Sequence, residues 1–242
     1  MSNDDTTPHG LASSIARAID KRQAIPLMPA SLTMAQAYEL QHQVTRHLTG
    51  ELGIAGIKAG LTADPVQKYF GITDAVIGSL YETGRLSPGC HIESAPGLLL
   101  ECEIGVIIGS DQQPISLVPV IEIVFLQYSQ ASDLNAVNIV AANVGADRFI
   151  CGPPHPWNPA IKATNIVLTR DGEAVCDAST SDSLGGPAAG TAWLLEEAKK
   201  QQVDVREGML LILGTCGPAI AAEQGEYLAH YGELGDIAFT VT

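Results

Sequence analysis

The sequence predicts an α+β fold: a mixed, rolled β-sheet core with flanking helices and a small N-terminal helical lobe. Three observations predict it. Helical periodicity is concentrated in the first fifty residues, short β-type runs bounded by Gly and Pro dominate from Gly53 onward, and the order of elements is not a regular βαβα alternation. The expected division is a helical lobe over 1–50 and a mixed-β domain over 51–242.

The elements follow in chain order. Residues 1–10 are polar and acidic and are expected to be disordered. "LASSIARAIDKRQA" reads as a helix, after which Pro26 and Pro29 break the chain. "SLTMAQAYELQHQVTRHL" reads as a second helix. Thr33 and Gln36 have the spacing of a capping box, and Leu40, Val44 and Leu48 recur every fourth residue to make one apolar face. "GIAGIKAGLT", "LLLECEIGVIIG" and "VPVIEIVF" are strands. "IVLTRDGEAVCDA" places Asp171-Gly172 between two β-type runs, a hairpin signal. "GPAAGTAWLLEEAKKQQ" is a helix with Pro187 in its first turn, and "GMLLILG" and "DIAFTVT" close the chain as strands.

Composition narrows the function classes. Hydrophobic residues form 46% of the 242, enough for one sizeable core, while aromatics are only 5%. That core must be aliphatic. Acidic residues outnumber basic ones 27 to 13, for a formal charge of -14, which argues against nucleic acid or an anionic membrane as partner. No apolar run approaches the ~20 residues of a membrane helix. Five dispersed cysteines without a C-x-x-C pair read as reduced thiols and predict a cytoplasmic protein. The opening "MSNDDTTPHG" does not read as a signal or transit peptide. Neither a dinucleotide nor a P-loop glycine pattern occurs, and there is no G-x-S-x-G. His91, His155 and His230 read as loop residues, and Trp157 and Trp193 as packing.

The chemistry-bearing residues lie on the β-type runs. Residues two apart on a strand share a face about 7 Å apart, so Glu101 and Glu103 point the same way. A strand edge with both glutamates in water is one reading. Gly105 and Ile107 continue the same face, however, which suggests a carboxylate pocket with an apolar floor. Glu122 sits among Val and Ile and needs a partner if buried. That partner is either a basic side chain or a cation shared with the other two glutamates. An all-oxygen set of this kind selects a hard ion, Mg²⁺ or Mn²⁺. Lys58 lies between small residues, either as a snorkelling surface lysine or as a proton-transfer group, and Gly56 and Gly60 would let the backbone approach a ligand.

Together "GIKAGLT", "LECEIGVIIG" and "PVIEIVF" resemble the 2-oxopent-4-enoate hydratase / 4-oxalocrotonate decarboxylase family of the fumarylacetoacetate hydrolase superfamily. "LTMAQAYELQ", "LGGPAAGTAWL" and "GMLLILGTCGP" extend the likeness over most of the chain. The resemblance implies metal ligation by Glu101, Glu103 and Glu122 and a catalytic Lys58. It also implies substrate contacts from Leu61, Val76 and Asn143, while Arg148 reads either as a bidentate clamp on a departing substrate carboxylate or as a surface or structural arginine. It further implies Mg²⁺ or Mn²⁺, a short unsaturated 2-oxo acid substrate, and a homo-oligomer with a related family enzyme as a further partner. Hydratases of the family usually carry an aspartate where this chain has Val76, and the decarboxylase branch tends to be aliphatic there. "RFICG" and "GPAAGTAWL" also resemble that branch. Decarboxylation is therefore favoured over hydration. The family's "A-D-N-A-S" reads Ala141-Ala142-Asn143-Val144-Gly145 here, and its "L-G-H-P" reads Leu184-Gly185-Gly186-Pro187. A catalytically altered member acting as a metabolite-binding or partner subunit is the alternative these departures raise.

Overall fold

The computed structural model describes residues 8–159 and 163–242. Five α-helices are present among them: α1 (Pro8–Asp20), α2 (Met34–Thr49), α3 (Asp64–Phe70), α4 (Ala136–Ala141) and α5 (Pro187–Lys200). The longer strands are β1 (Ile54–Gly60), β2 (Val76–Tyr81), β5 (Leu98–Ile108), β6 (Pro114–Phe125) and β7 (Ala146–Cys151), then β9 (Asn165–Arg170), β10 (Glu173–Ser179), β11 (Leu210–Thr215), β13 (Gly225–His230) and β14 (Asp236–Val241). Four two-residue strands complete the set: β3 (Arg85–Leu86), β4 (His91–Ile92), β8 (His155–Pro156) and β12 (Ile220–Ala221). His91, His155 and His230 thus sit on strand ends rather than in loops.

Two mixed sheets form. The larger runs β2-β1-β11-β5-β6-β7-β3, with β12 and β8 attached to β5 and β6, and the smaller runs β10-β9-β13-β14-β4. The pairs β1–β11, β3–β7 and β14–β4 are parallel and the remainder antiparallel. β2 also packs against β7, so the two ends of the larger sheet approach each other and the sheet rolls. Its inner face encloses a small apolar cluster of Ala55, Leu80, Val118, Val120, Phe149, Leu210 and Ile212. Its outer face joins the main core, which the helices and the smaller sheet cover.

Local signals explain most elements. The Thr33 hydroxyl accepts from the Gln36 amide while the Gln36 side chain returns to the Thr33 amide, satisfying two donors at the start of α2. Asp171 and Gly172 both take positive φ, 52° and 84°, the geometry of a two-residue hairpin turn. Pro187 opens α5 where no amide hydrogen is needed. The disorder expected over 1–10 does not hold for its last three residues, which begin α1; the first seven lie outside the described residues.

Gln41 of α2 donates to the carbonyls of Ile77 and Val140, both at 2.9 Å, tying α2 to β2 and α4. A buried ion pair joins Arg22, just past α1, to Asp147 on β7 at 2.7 Å. No described helix is long and apolar enough to cross a membrane.

Candidate metal centre

β5 and β6 pair with Glu101 directly opposite Glu122 and Glu103 opposite Val120. Direct cross-strand partners share a sheet face, so all three carboxylates point into the roll. One carboxylate oxygen from each lies within 4.8 Å of the other two. Glu103 and Glu122 are fully buried, whereas Glu101 is half-buried. Beyond them on the same face, the inward residues Gly105, Val118, Val120, Leu210 and Ile212 form an apolar floor. A Cβ on Gly105 would stand 2.7 Å from Leu210 Cδ1, so only glycine leaves room for this packing.

Lys58 faces the same space. β1 lies between β2 and β11 rather than at an edge, and Lys58 is 1% exposed, so it is not a snorkelling lysine. Its Nζ sits 2.6 Å from Glu122 Oε1. Of the two partners considered for Glu122, the basic side chain is therefore in place, and the two carboxylates that would share a cation with it lie alongside.

A β-bulge adds the fourth component. The β11–β5 register shifts between Ile212 and Thr215, and the displaced Gly214 N–H donates to Glu103 Oε2 at 2.7 Å. Gly214 has φ 98°, and a Cβ there would meet Thr62 Cγ2 at 2.5 Å and Ser183 Oγ at 2.6 Å. The sequence reading missed Gly214; the bulge that aims its amide is a tertiary feature with no local signature.

Three carboxylates against one ammonium leave two negative charges uncompensated when all are ionised. Buried charge of that kind is strongly unfavourable without a partner. The groups respond accordingly. Burial, then the neighbouring Glu122 and Glu101, hold the Glu103 carboxyl well above its ordinary value of 4.5. Burial pushes Glu122 up to about 7 against the opposing pull of Lys58. Burial alone would lower Lys58, yet the attraction of Glu122, Glu101 and Glu103 outweighs it and the ammonium is held above its ordinary value. Glu103 Oε1 and Glu122 Oε2 are buried without a hydrogen-bond partner among the described residues. Two orphaned, inward-facing oxygens in an all-carboxylate set with a two-charge deficit fit a hard divalent cation.

The other expected contacts fare differently. Val76 is buried opposite Gly60, on the Lys58 side of the sheet. Leu61 takes φ 53° at the end of β1, and its carbonyl accepts from Gln67 Nε2. The Asn143 amide is engaged within the fold. Oδ1 accepts from the Ser79 amide and Nδ2 donates to the Ser79 carbonyl, both at 2.8 Å, so it substitutes for a missing strand partner of β2. Arg148 lies opposite Ile123 while Phe149 lies opposite Glu122, so alternation turns Arg148 to the outer sheet face. It lines a small cavity of about 70 Å³ with Asp20, Tyr81 and Asp147 instead. Gly56 and Gly60 serve protein packing rather than ligand approach: a Cβ on Gly56 would overlap the Leu210 carbonyl, and one on Gly60 would lie 2.3 Å from Val144 Cγ1.

Fold and site together define a rolled mixed-β protein with a buried three-carboxylate, one-lysine centre suited to a divalent cation. Comparison with known proteins places that class. The chain is 26% identical over 260 aligned positions to a 2-keto-4-pentenoate hydratase of Paraburkholderia phymatum, covering 97% of each chain. It is 23% identical to a 4-oxalocrotonate decarboxylase of a Pseudomonas species, covering 95% of this chain and 98% of that one. Among solved structures, 4-oxalocrotonate decarboxylase from Pseudomonas putida G7, complexed with magnesium and adipate, superposes with a TM-score of 0.89 at 19% identity over 100% of this chain and 99% of that one. Fumarylpyruvate hydrolase from Pseudomonas aeruginosa, in complex with Mn²⁺ and pyruvate, gives 0.59 at 14% identity over 77% of this chain and 88% of that one. No family model matches. The chain is thus similar over nearly its whole length to 2-keto-4-pentenoate hydratases and to a 4-oxalocrotonate decarboxylase, and it shares the fold of the latter.

Proposed function

We propose that the protein is a divalent-cation-dependent carbon lyase acting on a short unsaturated 2-oxo acid, with decarboxylation favoured over hydration. The observation that carries this is the convergence of Glu101, Glu103 and Glu122 beside Lys58, with two buried carboxylate oxygens left unpartnered. Glu101, Glu103 and Glu122 would hold Mg²⁺ or Mn²⁺. When bound, such an ion supplies Lewis-acid polarisation of a 2-oxo acid.

The chain's own groups do the rest. The Gly214 N–H fixes one oxygen of Glu103 and leaves the other free to ligate. Lys58 is held protonated by the three carboxylates, so it is a proton donor to the carbon chain as CO₂ departs. The apolar floor keeps water from the reacting carbons. Val76 stands on the Lys58 face without an acid to deliver water, which favours loss of CO₂ over addition of water.

Hydration is the second reading. Its support is the similarity to a hydratase and the presence of Asp74, two residues from Val76, on the wall of a cavity of about 540 Å³ that Thr62 also lines. The altered-subunit alternative keeps its motive at Ala142, Gly145 and Gly186, where the polar groups of the resembled family are replaced. A cytoplasmic homo-oligomer accords with five free cysteines and with the family resemblance.

The test is an assay of unsaturated 2-oxo diacids and 2-hydroxydienoic acids, following CO₂ and hydrated product separately. Turnover should stop on chelation and return with Mg²⁺ or Mn²⁺. Turnover that survives complete removal of metal would sink the proposal.

A further inference from the structure

Val144 is a β-branched residue at φ 54°, ψ 32°, between Asn143 at φ 55° and Gly145 at φ 68°. Left-handed backbone is unfavourable for a valine and persists only where the surroundings enforce it. The two Asn143–Ser79 hydrogen bonds clamp the turn to β2, and the Asn143 amide oxygen also accepts from Thr45. The clamp drives the Val144 side chain, 4% exposed, into a notch made by two glycines. A Cβ on Gly60 would stand 2.3 Å from Val144 Cγ1, and one on Gly78 would stand 3.1 Å from Val144 Cβ.

The notch is next to the lysine. Gly78 is the direct cross-strand partner of Lys58, and Gly60 lies two residues along β1 on the same face, opposite Val76. The isopropyl group of Val144 therefore occupies the space that side chains at 60 and 78 would have filled, flanking Lys58. Strain held at such a position is a common mark of a shaped site.

We propose that Val144 is a specificity-determining residue: it walls the pocket beside Lys58 and restricts the substrate to a short 2-oxo acid with an unbranched chain. This rests on the proposed function above. Carbons that receive a proton from Lys58 must lie against this wall, and an alkyl branch on them would meet the two Val144 methyls.

The test uses binding rather than turnover. Dissociation constants of the unreactive 2-oxopentanoate and 4-methyl-2-oxopentanoate are measured by calorimetry on the Mg²⁺-loaded protein, for wild type, Val144→Ala, Val144→Gly and Val144→Thr. Glycine adopts this φ freely, so Val144→Gly retains the turn even where Val144→Ala does not fold; thermal melting checks each variant. Wild type should prefer the unbranched acid about tenfold or more, the range one methyl group commands in an apolar pocket. Val144→Ala and Val144→Gly should remove that preference, and Val144→Thr, with the same shape, should keep it. A wild type without preference, or folded Ala and Gly variants that retain it, overturns the assignment of Val144 alone. Failure of wild type to bind either acid overturns the proposed function, and this inference with it.

Discussion

Replacing Lys58 by methionine separates the structural and chemical parts of the site. Lys58 Nζ and Glu122 Oε1 are 2.6 Å apart and both side chains are buried. At an effective dielectric of about 20, Coulomb's law gives roughly 6 kcal/mol for that separation. Desolvation of the ammonium offsets part of it, and breaking a buried pair by removing one member typically costs about 3–5 kcal/mol. In the metal-free protein, Lys58→Met should lose about that much stability at pH 8. At pH 6 the loss should be smaller, because Glu122, already raised to about 7, escapes by taking a proton. With saturating Mg²⁺ the cation neutralises the carboxylates, and the stability lost should drop to about 1 kcal/mol or less. Activity should still fall by about 10²–10⁴ with metal present, because a proton donor has gone. Urea unfolding with chelator and with Mg²⁺, at both pH values, reads all of this. Equal stability losses with and without Mg²⁺ would refute the idea that lysine and cation neutralise the same carboxylates.

Further expectations concern the neighbours. Glu103→Gln keeps an acceptor for the Gly214 amide and removes the charge, so it should weaken Mg²⁺ binding by more than about 100-fold; calorimetry showing unchanged affinity would exclude Glu103 as a ligand. Asn143→Ala strands the buried amide and carbonyl of Ser79, at about 1–3 kcal/mol for each group, and should lower the melting temperature; an unchanged melting temperature would show that the clamp on β2 contributes nothing to the fold. Glu103 and Glu122 have folded-state values above 4.5, so the metal-free native state binds more protons than the unfolded chain. Their contribution to stability is full below about pH 4.5 and is lost as pH rises, through about 7 for Glu122. The rise in melting temperature produced by Mg²⁺ should therefore grow over this window, and a rise that shrinks with pH would count against the carboxylates as its source.

The sequence by itself determined the short-range features. Capping at Thr33, the Asp171-Gly172 turn, Pro187 at the start of α5 and the common face of Glu101 and Glu103 all depend on residues within a few positions of each other. The apolar floor was legible for the same reason, since Gly105 and Ile107 continue the period of two. Only the tertiary structure decided which side chains meet across long separations. Register set Glu122 opposite Glu101 and turned Arg148 outward by one residue, and a one-residue difference on a strand reverses the face. The β11 bulge aimed the Gly214 amide at Glu103, and the Asn143 clamp forced Val144 against two distant glycines. Pairing register and bulges are settled by the packing of the whole rolled sheet, and that is why residue spacing alone did not reveal them.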